Sequence, residues 1–246
     1  MTFLFSELPA PPSGRAKQPI DMPNSNHPPR PVVVEGRSRA ADARHFSPSA
    51  ARNRGPILEV LARVLPKEGI VLEIGSGTGE HAVGFAKGLP GLDWLPSDPD
   101  AASRASIKAW IATEELANVR APVALDVRQA VWGVEDAAPF DAIISLNMVH
   151  IAPWEAALGL LAGAGRVLRL DGVLFLYGPF MSGGTHTTPS NAAFDADLKR
   201  RDPRWGVRDI DDLVGRAASH GLDLREVVKM PANNLSLVFF KAKCAS

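Results

Sequence analysis

The chain has 246 residues, 46% of them hydrophobic, and its 27 Lys+Arg balance 27 Asp+Glu. That size and composition suit one α/β domain with a tail, or at most two small domains, with ample material for a core. Zero net charge argues against a broad nucleic-acid or anionic-membrane footprint. The lone cysteine, Cys244, rules out an intrachain disulfide or a cysteine-based metal site. No apolar run is long enough to span a bilayer, and Met1 to Leu8 lacks the basic-then-apolar order of a signal peptide. The expectation is a cytoplasmic protein that handles a small molecule.

In chain order, residues 1–40 come first. Pro9, Pro11, Pro12, Pro19, Pro23, Pro28, Pro29 and Pro31 remove backbone donors and fix φ. This stretch is read as a disordered or extended tail ahead of a domain covering residues 41–246. Ser47-Pro48 then has the form of an N-cap and a first-turn proline, and Ile57, Leu58, Leu61, Val64 and Leu65 recur at helical spacing. Ile70 to Ile74 is a short apolar strand running into a glycine loop, and residues 81–89 read as a helix stopped by Pro90-Gly91.

The alternation continues with strands at 93–96, 121–125, 140–146 and 172–177, and with helices at 101–117 and 156–167. After an irregular stretch come a helix at 209–219 and strands at 224–230 and 236–241. Strand–helix alternation predicts a doubly wound, mostly parallel seven-stranded sheet with helices on both faces. The last two strands have no helix between them, so they should close the sheet as an antiparallel hairpin.

Chemistry is expected where Gly75, Ser76, Gly77 and Gly79 follow the first strand of that sheet. Glycine permits positive φ and close backbone approach, and the amides that open the next helix favour an anion. The loop alone is ambiguous, because Gly77-Thr78-Gly79-Glu80-His81-Ala82 also fits the dinucleotide pattern. Glu73, two residues before the first glycine, would repel a pyrophosphate yet attract the ammonium group of S-adenosylmethionine. Asp98 follows the second strand, placed for ribose hydroxyls, and Asp126-Val127 ends the third. The favoured cofactor is S-adenosylmethionine, with NAD-dependent oxidoreduction as a weaker reading.

From Ser47 onward the chain resembles the methyltransferase family that includes methyltransferase-like protein 26. The resemblance rests on Ala51 to Leu58, Leu72 to Ala82, Pro96-Ser97-Asp98, Asn147-Met148-Val149-His150, Tyr177-Gly178-Pro179-Phe180 and Met230 to Asn234, completed by Ser190 to Asp195 and Trp205 to Asp209. It implies the class I methyltransferase fold and its cofactor, with Asp126-Val127 against the adenine, but no particular acceptor.

Acceptor-facing residues should lie on the loops after the fourth and fifth strands. Asn147 is placed beside the cofactor, His150 is a candidate general base, and Tyr177 is a candidate hydroxyl donor to the acceptor. The Gly/Ser/Thr-rich residues 181–189 read as a mobile lid or acceptor loop, and Asp197 with Lys199 to Arg201 as a solvated helix face. Arg54, on the helix before the glycine loop, is expected to close the cofactor cleft. The histidines at 27, 45, 81, 150, 186 and 220 show no metal-ligand spacing, so no metal is expected. The leading expectation is transfer of a methyl group to the oxygen or nitrogen of a small molecule, and a non-catalytic cofactor-binding module is the alternative.

Overall fold

The computed structural model describes Ser38–Arg39 and residues 43–242. The expected proline-rich tail lies outside the described residues, apart from Ser38–Arg39 (β1), which pairs antiparallel with His45–Phe46 (β2). Helix α1, Pro48–Val64, starts where the Ser47 hydroxyl accepts from the Ala50 amide, and it stops before Pro66. Strand β3 (Gly69–Ile74), helix α2 (Glu80–Gly88), strand β4 (Leu92–Ser97) and helix α3 (Ala101–Glu114) follow. Then come β5 (Phe140–Leu146), α4 (Trp154–Val167) and β6 (Leu168–Gly178). The chain continues through β7 (Phe180–Ser182), β8 (Thr185–His186), α5 (Pro189–Arg201), β9 (Arg208–Asp209) and α6 (Ile210–Ala218), and closes with β10 (Leu222–Met230) and β11 (Asn234–Lys241).

The main sheet has the order β10-β11-β6-β5-β3-β4. Strands β4, β3, β5 and β6 run parallel, and β11 is antiparallel to both β6 and β10. This is the doubly wound sheet with a closing hairpin. The expected third strand at 121–125 is reduced to two bridges, Val119 to Trp94 and Val123 to Ser97. Pro96 and Pro122 explain this, since neither carries an amide for a ladder there. Six strands and this remnant account for the expected seven.

Alternation along the strands divides the core into two layers. Leu72, Ile74, Ile143, Leu174 and Leu176 pack on one face with residues of α4 and α6. Val71, Ile144, Phe175 and Tyr177 pack on the other with Ile57 and Leu61 of α1 and Phe85 of α2. Sheet order reverses between β3 and β5, which makes the C-terminal ends of those strands the place for a ligand.

Two expectations about the chain after β6 are corrected. The stretch expected to be irregular is ordered: β7 and β8 form a hairpin, and β7 also pairs with β9. Gly183 and Gly184 make the turn at φ of 60° and 73°, and their amides donate to Asp211 and Asp209. Asp197 is not on a solvated face either. It is 4% exposed and pairs with Arg200 and Arg201 at 2.6 and 2.7 Å.

Candidate functional site

The glycine loop emerges from β3 with Gly75, Gly77 and Gly79 at φ of 70°, 58° and 90°. Gly79 is required twice over, because a Cβ there would also lie 2.9 Å from the Cα of Ile107. Gly79 is the N-cap of α2 and no side chain caps that helix, so first-turn amides are left for an anion. Ser76 ties the loop to β4: its amide donates to the Ser97 carbonyl at 2.9 Å, and its hydroxyl accepts from the Ser97 amide.

Glu73 ends β3 and is 2% exposed. Its Oε2 accepts from the Trp94 indole N–H at 2.6 Å. Among the described residues, no basic side chain forms an ion pair with it. Burial is the main reason its carboxyl is pushed up to about 7, with the charge of Asp98 adding to the rise and the Trp94 hydrogen bond opposing it. A buried carboxylate without a cation is an expensive arrangement unless a ligand supplies the cation.

Asp98, at the end of β4, aims its carboxylate at the loop. One oxygen accepts from the Gly77 amide and the other from the Asp100 amide, both at 2.9 Å. Asp126 follows the bridge remnant and is held by Arg128, whose guanidinium donates to both carboxylate oxygens. That contact keeps the Asp126 carboxyl below its usual range. Val127 is buried, and its carbonyl accepts from Trp132. Asn147 adopts a left-handed conformation at φ 59°, just after β5, and its amide donates to the Tyr177 carbonyl at 2.7 Å.

The two catalytic candidates part company. Tyr177 lies on the same sheet face as Glu73: Glu73 is in register with Ile144, and Ile144 with Phe175, one pleat repeat before Tyr177. Ordinary sheet spacing separates the two by roughly 12 Å. The Tyr177 hydroxyl accepts from Asn234 Nδ2 at 2.9 Å, and burial pushes it up to about 12. His150 instead packs into the opposite layer with Val149 and Phe180, its ring edge-on to Phe180 at 4.7 Å. It is fully buried, and its Nδ1 accepts from the Arg208 amide at 3.3 Å. Burial pushes it down to about 3, so the ring is neutral at ordinary pH. This environment does not make the base near neutrality that the sequence suggested. Here His150 joins the β5 loop to the segment before β9.

Arg54 lies across Gly84 of α2, where a Cβ would come within 2.3 Å of its Cδ. Its charge acts on Glu80 and His81 rather than on Glu73. The tie between the N-terminal segment and the loop comes from other residues. Glu80 Oε2 accepts from the Ser47 amide and the Thr78 hydroxyl, and Ser106 Oγ accepts from the His45 amide while donating to the Thr78 carbonyl. Sequence reasoning missed Trp94, Glu80 and Ser106, because each acts through a register or helix contact that motif spacing does not encode.

Two cavities lie apart from the loop. One, of about 350 Å³, is lined by Trp154, Met181, Lys199, Arg208 and Asp212 among others; the second, of about 280 Å³, lies by Ala62, Lys67 and Leu92. Among the described residues, no three His, Cys, Asp or Glu side chains converge on a metal position, and no helix is long and apolar enough to cross a membrane.

The sheet order, the closing hairpin and the loop at the switch point define the class I methyltransferase fold, and comparison with solved structures agrees. An O-methyltransferase family protein from Burkholderia thailandensis superposes with a TM-score of 0.68 at 15% identity, over 80% of this chain and 58% of that one. CalO1, a methyltransferase in calicheamicin biosynthesis solved in an SAH-bound form, gives 0.62 at 20% identity, over 79% and 54%. An O-methyltransferase family 2 protein from Planctomyces limnophilus DSM 3776, in complex with apigenin, gives 0.68 at 14% identity, over 79% and 58%. The present chain therefore spans little more than half the length of these three. Residues 44–241 match the model of the family described as "Protein of unknown function (DUF938)", and the chain belongs to that family.

Proposed function

We propose that this chain is an S-adenosylmethionine-dependent methyltransferase acting on a small-molecule acceptor. One observation carries the reading: Glu73 is a buried carboxylate without a basic partner among the described residues, beside a positive-φ glycine loop and an uncapped helix start. A ligand that brings both an ammonium and a carboxylate, as the methionyl group does, satisfies both features. Glu73 would take the ammonium and the first turn of α2 the carboxylate. Asp98 would accept from the ribose hydroxyls, and Asp126 with Val127 would border the adenine once Arg128 shares its carboxylate partner. Asn147 would flank the methionyl end and Arg54 the outer side of α2. The solved neighbours named above, and the motif resemblance to the methyltransferase-like protein 26 family, support the same cofactor.

The bound cofactor supplies an electrophilic methyl on a sulfonium. With the cofactor held by Glu73, Asp98 and the glycine loop, the acceptor's lone pair would be offered to that methyl, and a hydroxyl or amine acceptor would release its proton to solvent. The chain's task would then be alignment of acceptor and methyl. Tyr177, on the Glu73 face, would hold the acceptor through its hydroxyl.

The enclosure of His150 favours one second reading, a cofactor-binding module without turnover. The test is transfer of labelled methyl from S-adenosylmethionine into a small-molecule extract. Labelled product with formation of S-adenosylhomocysteine supports the enzyme. Tight cofactor binding with no label transferred to any acceptor class would leave only the module.

A further inference from the structure

Glu73 and Trp94 occupy neighbouring parallel strands on one face of the sheet. Glu73 is in register with Pro96, so Trp94 stands one pleat repeat earlier and its indole reaches forward to the carboxylate. Trp94 is fully buried, packed against the tilted ring of Phe85 at 5.9 Å. A tryptophan in a core is ordinary; one whose N–H meets the buried carboxylate at the end of β3 has a specific consequence.

The charged and titratable groups on the surrounding elements are few. Asp98 follows β4 and repels the Glu73 charge. On α2, Glu80 is occupied by Ser47 and Thr78, and His81 stacks on Phe85 and is held neutral near pH 7, burial pushing it down to about 4. Arg54 of α1 lies across Gly84, and β5 presents only the apolar Ile144. The Trp94 N–H is therefore the main fixed donor aimed at Glu73.

We propose that Trp94 is a positioning residue of the cofactor site: its N–H aims the Glu73 carboxylate and favours its charged form, so that a cationic ligand group replaces a proton there. This rests on the reading of Glu73 as the ammonium site. With Glu73 held near 7, ligand binding at lower pH must expel a proton, whereas at higher pH the carboxylate is ready. Loss of the N–H removes a hydrogen bond to a charged group, which moves the Glu73 midpoint upward by about one pH unit.

The experiment is calorimetric titration with S-adenosylhomocysteine between pH 6 and 8.5, on the wild type, Trp94→Phe and Glu73→Gln. Wild-type affinity should be about tenfold weaker at pH 6 than at pH 8.5, and binding at pH 6 should release close to one proton. Trp94→Phe should bind about fivefold more weakly than the wild type at pH 7, with the gap closing to less than twofold at pH 8.5. Glu73→Gln should abolish the proton release. A Trp94→Phe loss equal at every pH, or no loss at all, would show a packing role only and overturn the proposal. If Trp94→Phe does not fold, the wild-type proton release decides, and its absence at pH 6 refutes the proposal. Failure of the wild type to bind S-adenosylhomocysteine at any pH would instead remove the cofactor reading itself, and this proposal with it.

Discussion

Asn234 Nδ2 donates to the hydroxyl of Tyr177 at 2.9 Å and to the Pro231 carbonyl at 3.2 Å. A carbonyl can only accept, so the Pro231 contact fixes which end of the Asn234 amide faces the tyrosine. The hydroxyl proton of Tyr177 is then not used by Asn234. The turn that sets this up is strained, with Ala232 and Asn233 both in the left-handed region at φ of 57° and 60°. It is stapled to the start of α5, where Asn191 donates to the Asn233 carbonyl and Asn233 donates to Ser190.

Tyr177 is the only tyrosine in the chain, so its ionisation can be read directly from tyrosinate absorbance. Held up to about 12, it should show little tyrosinate at pH 10.5 in the native protein, whereas in denaturant the signal should be mostly developed because a free phenol titrates near 10. A native signal equal to the denatured one would contradict the burial and the Asn234 contact. Tyr177→Phe should cost about 1 kcal/mol in denaturant unfolding while leaving S-adenosylhomocysteine affinity unchanged and lowering acceptor turnover.

Glu73→Gln should stabilise the unliganded protein and weaken its cofactor binding together. The carboxyl is held above its unfolded value, so its stabilising contribution is complete below about pH 4.5 and is lost as pH rises through about 7. Across that window wild-type folding loses on the order of 3 kcal/mol that a neutral amide does not lose. Thermal unfolding of the two proteins at pH 5 and at pH 8 checks this. The variant should gain on the wild type as pH rises.

His81 and His150 act in the opposite sense. Burial pushes them down to about 4 and about 3, so each favours the unfolded state once pH falls below about 6.5. By pH 5 each should cost roughly 2 kcal/mol. His150→Asn should therefore flatten the acid limb of a stability–pH curve, even if it lowers stability at pH 8 by disturbing the Phe180 and Arg208 contacts.

Gly79→Ala should cost about 2–4 kcal/mol, combining a φ of 90° with a Cβ placed 2.9 Å from the Ile107 Cα. Denaturant midpoints at constant slope measure it. Cofactor affinity should fall as well, since relief of the clash moves α3 away from the loop.

The sheet, its helices and the closing hairpin were legible because apolar periodicity and turn residues report them directly, as at Ile70 to Ile74 and Pro231 to Asn234. The strand expected at 121–125 failed on Pro96 and Pro122, whose missing donors matter only once the two segments are neighbours. The placement of Glu73 and Asp98 by the glycine loop was legible because both lie at strand ends. His150 was not: its burial depends on Arg208 and Phe180, which lie 58 and 30 residues further along the chain. The regular structure within 181–189 was hidden similarly, because the partners of the Gly183-Gly184 turn, Asp209 and Asp211, come from a distant helix start. Trp94 was invisible as a site residue, since its role depends on cross-strand register with Glu73.

The central claim is that this loop and its acids hold S-adenosylmethionine. Its most direct test is thermal unfolding and calorimetric titration of the whole chain at pH 8 with S-adenosylhomocysteine and, in parallel, with NAD. Saturable binding of S-adenosylhomocysteine with a rise in unfolding temperature, and neither effect with NAD, is the predicted result. Stabilisation by NAD with none by S-adenosylhomocysteine would contradict the account.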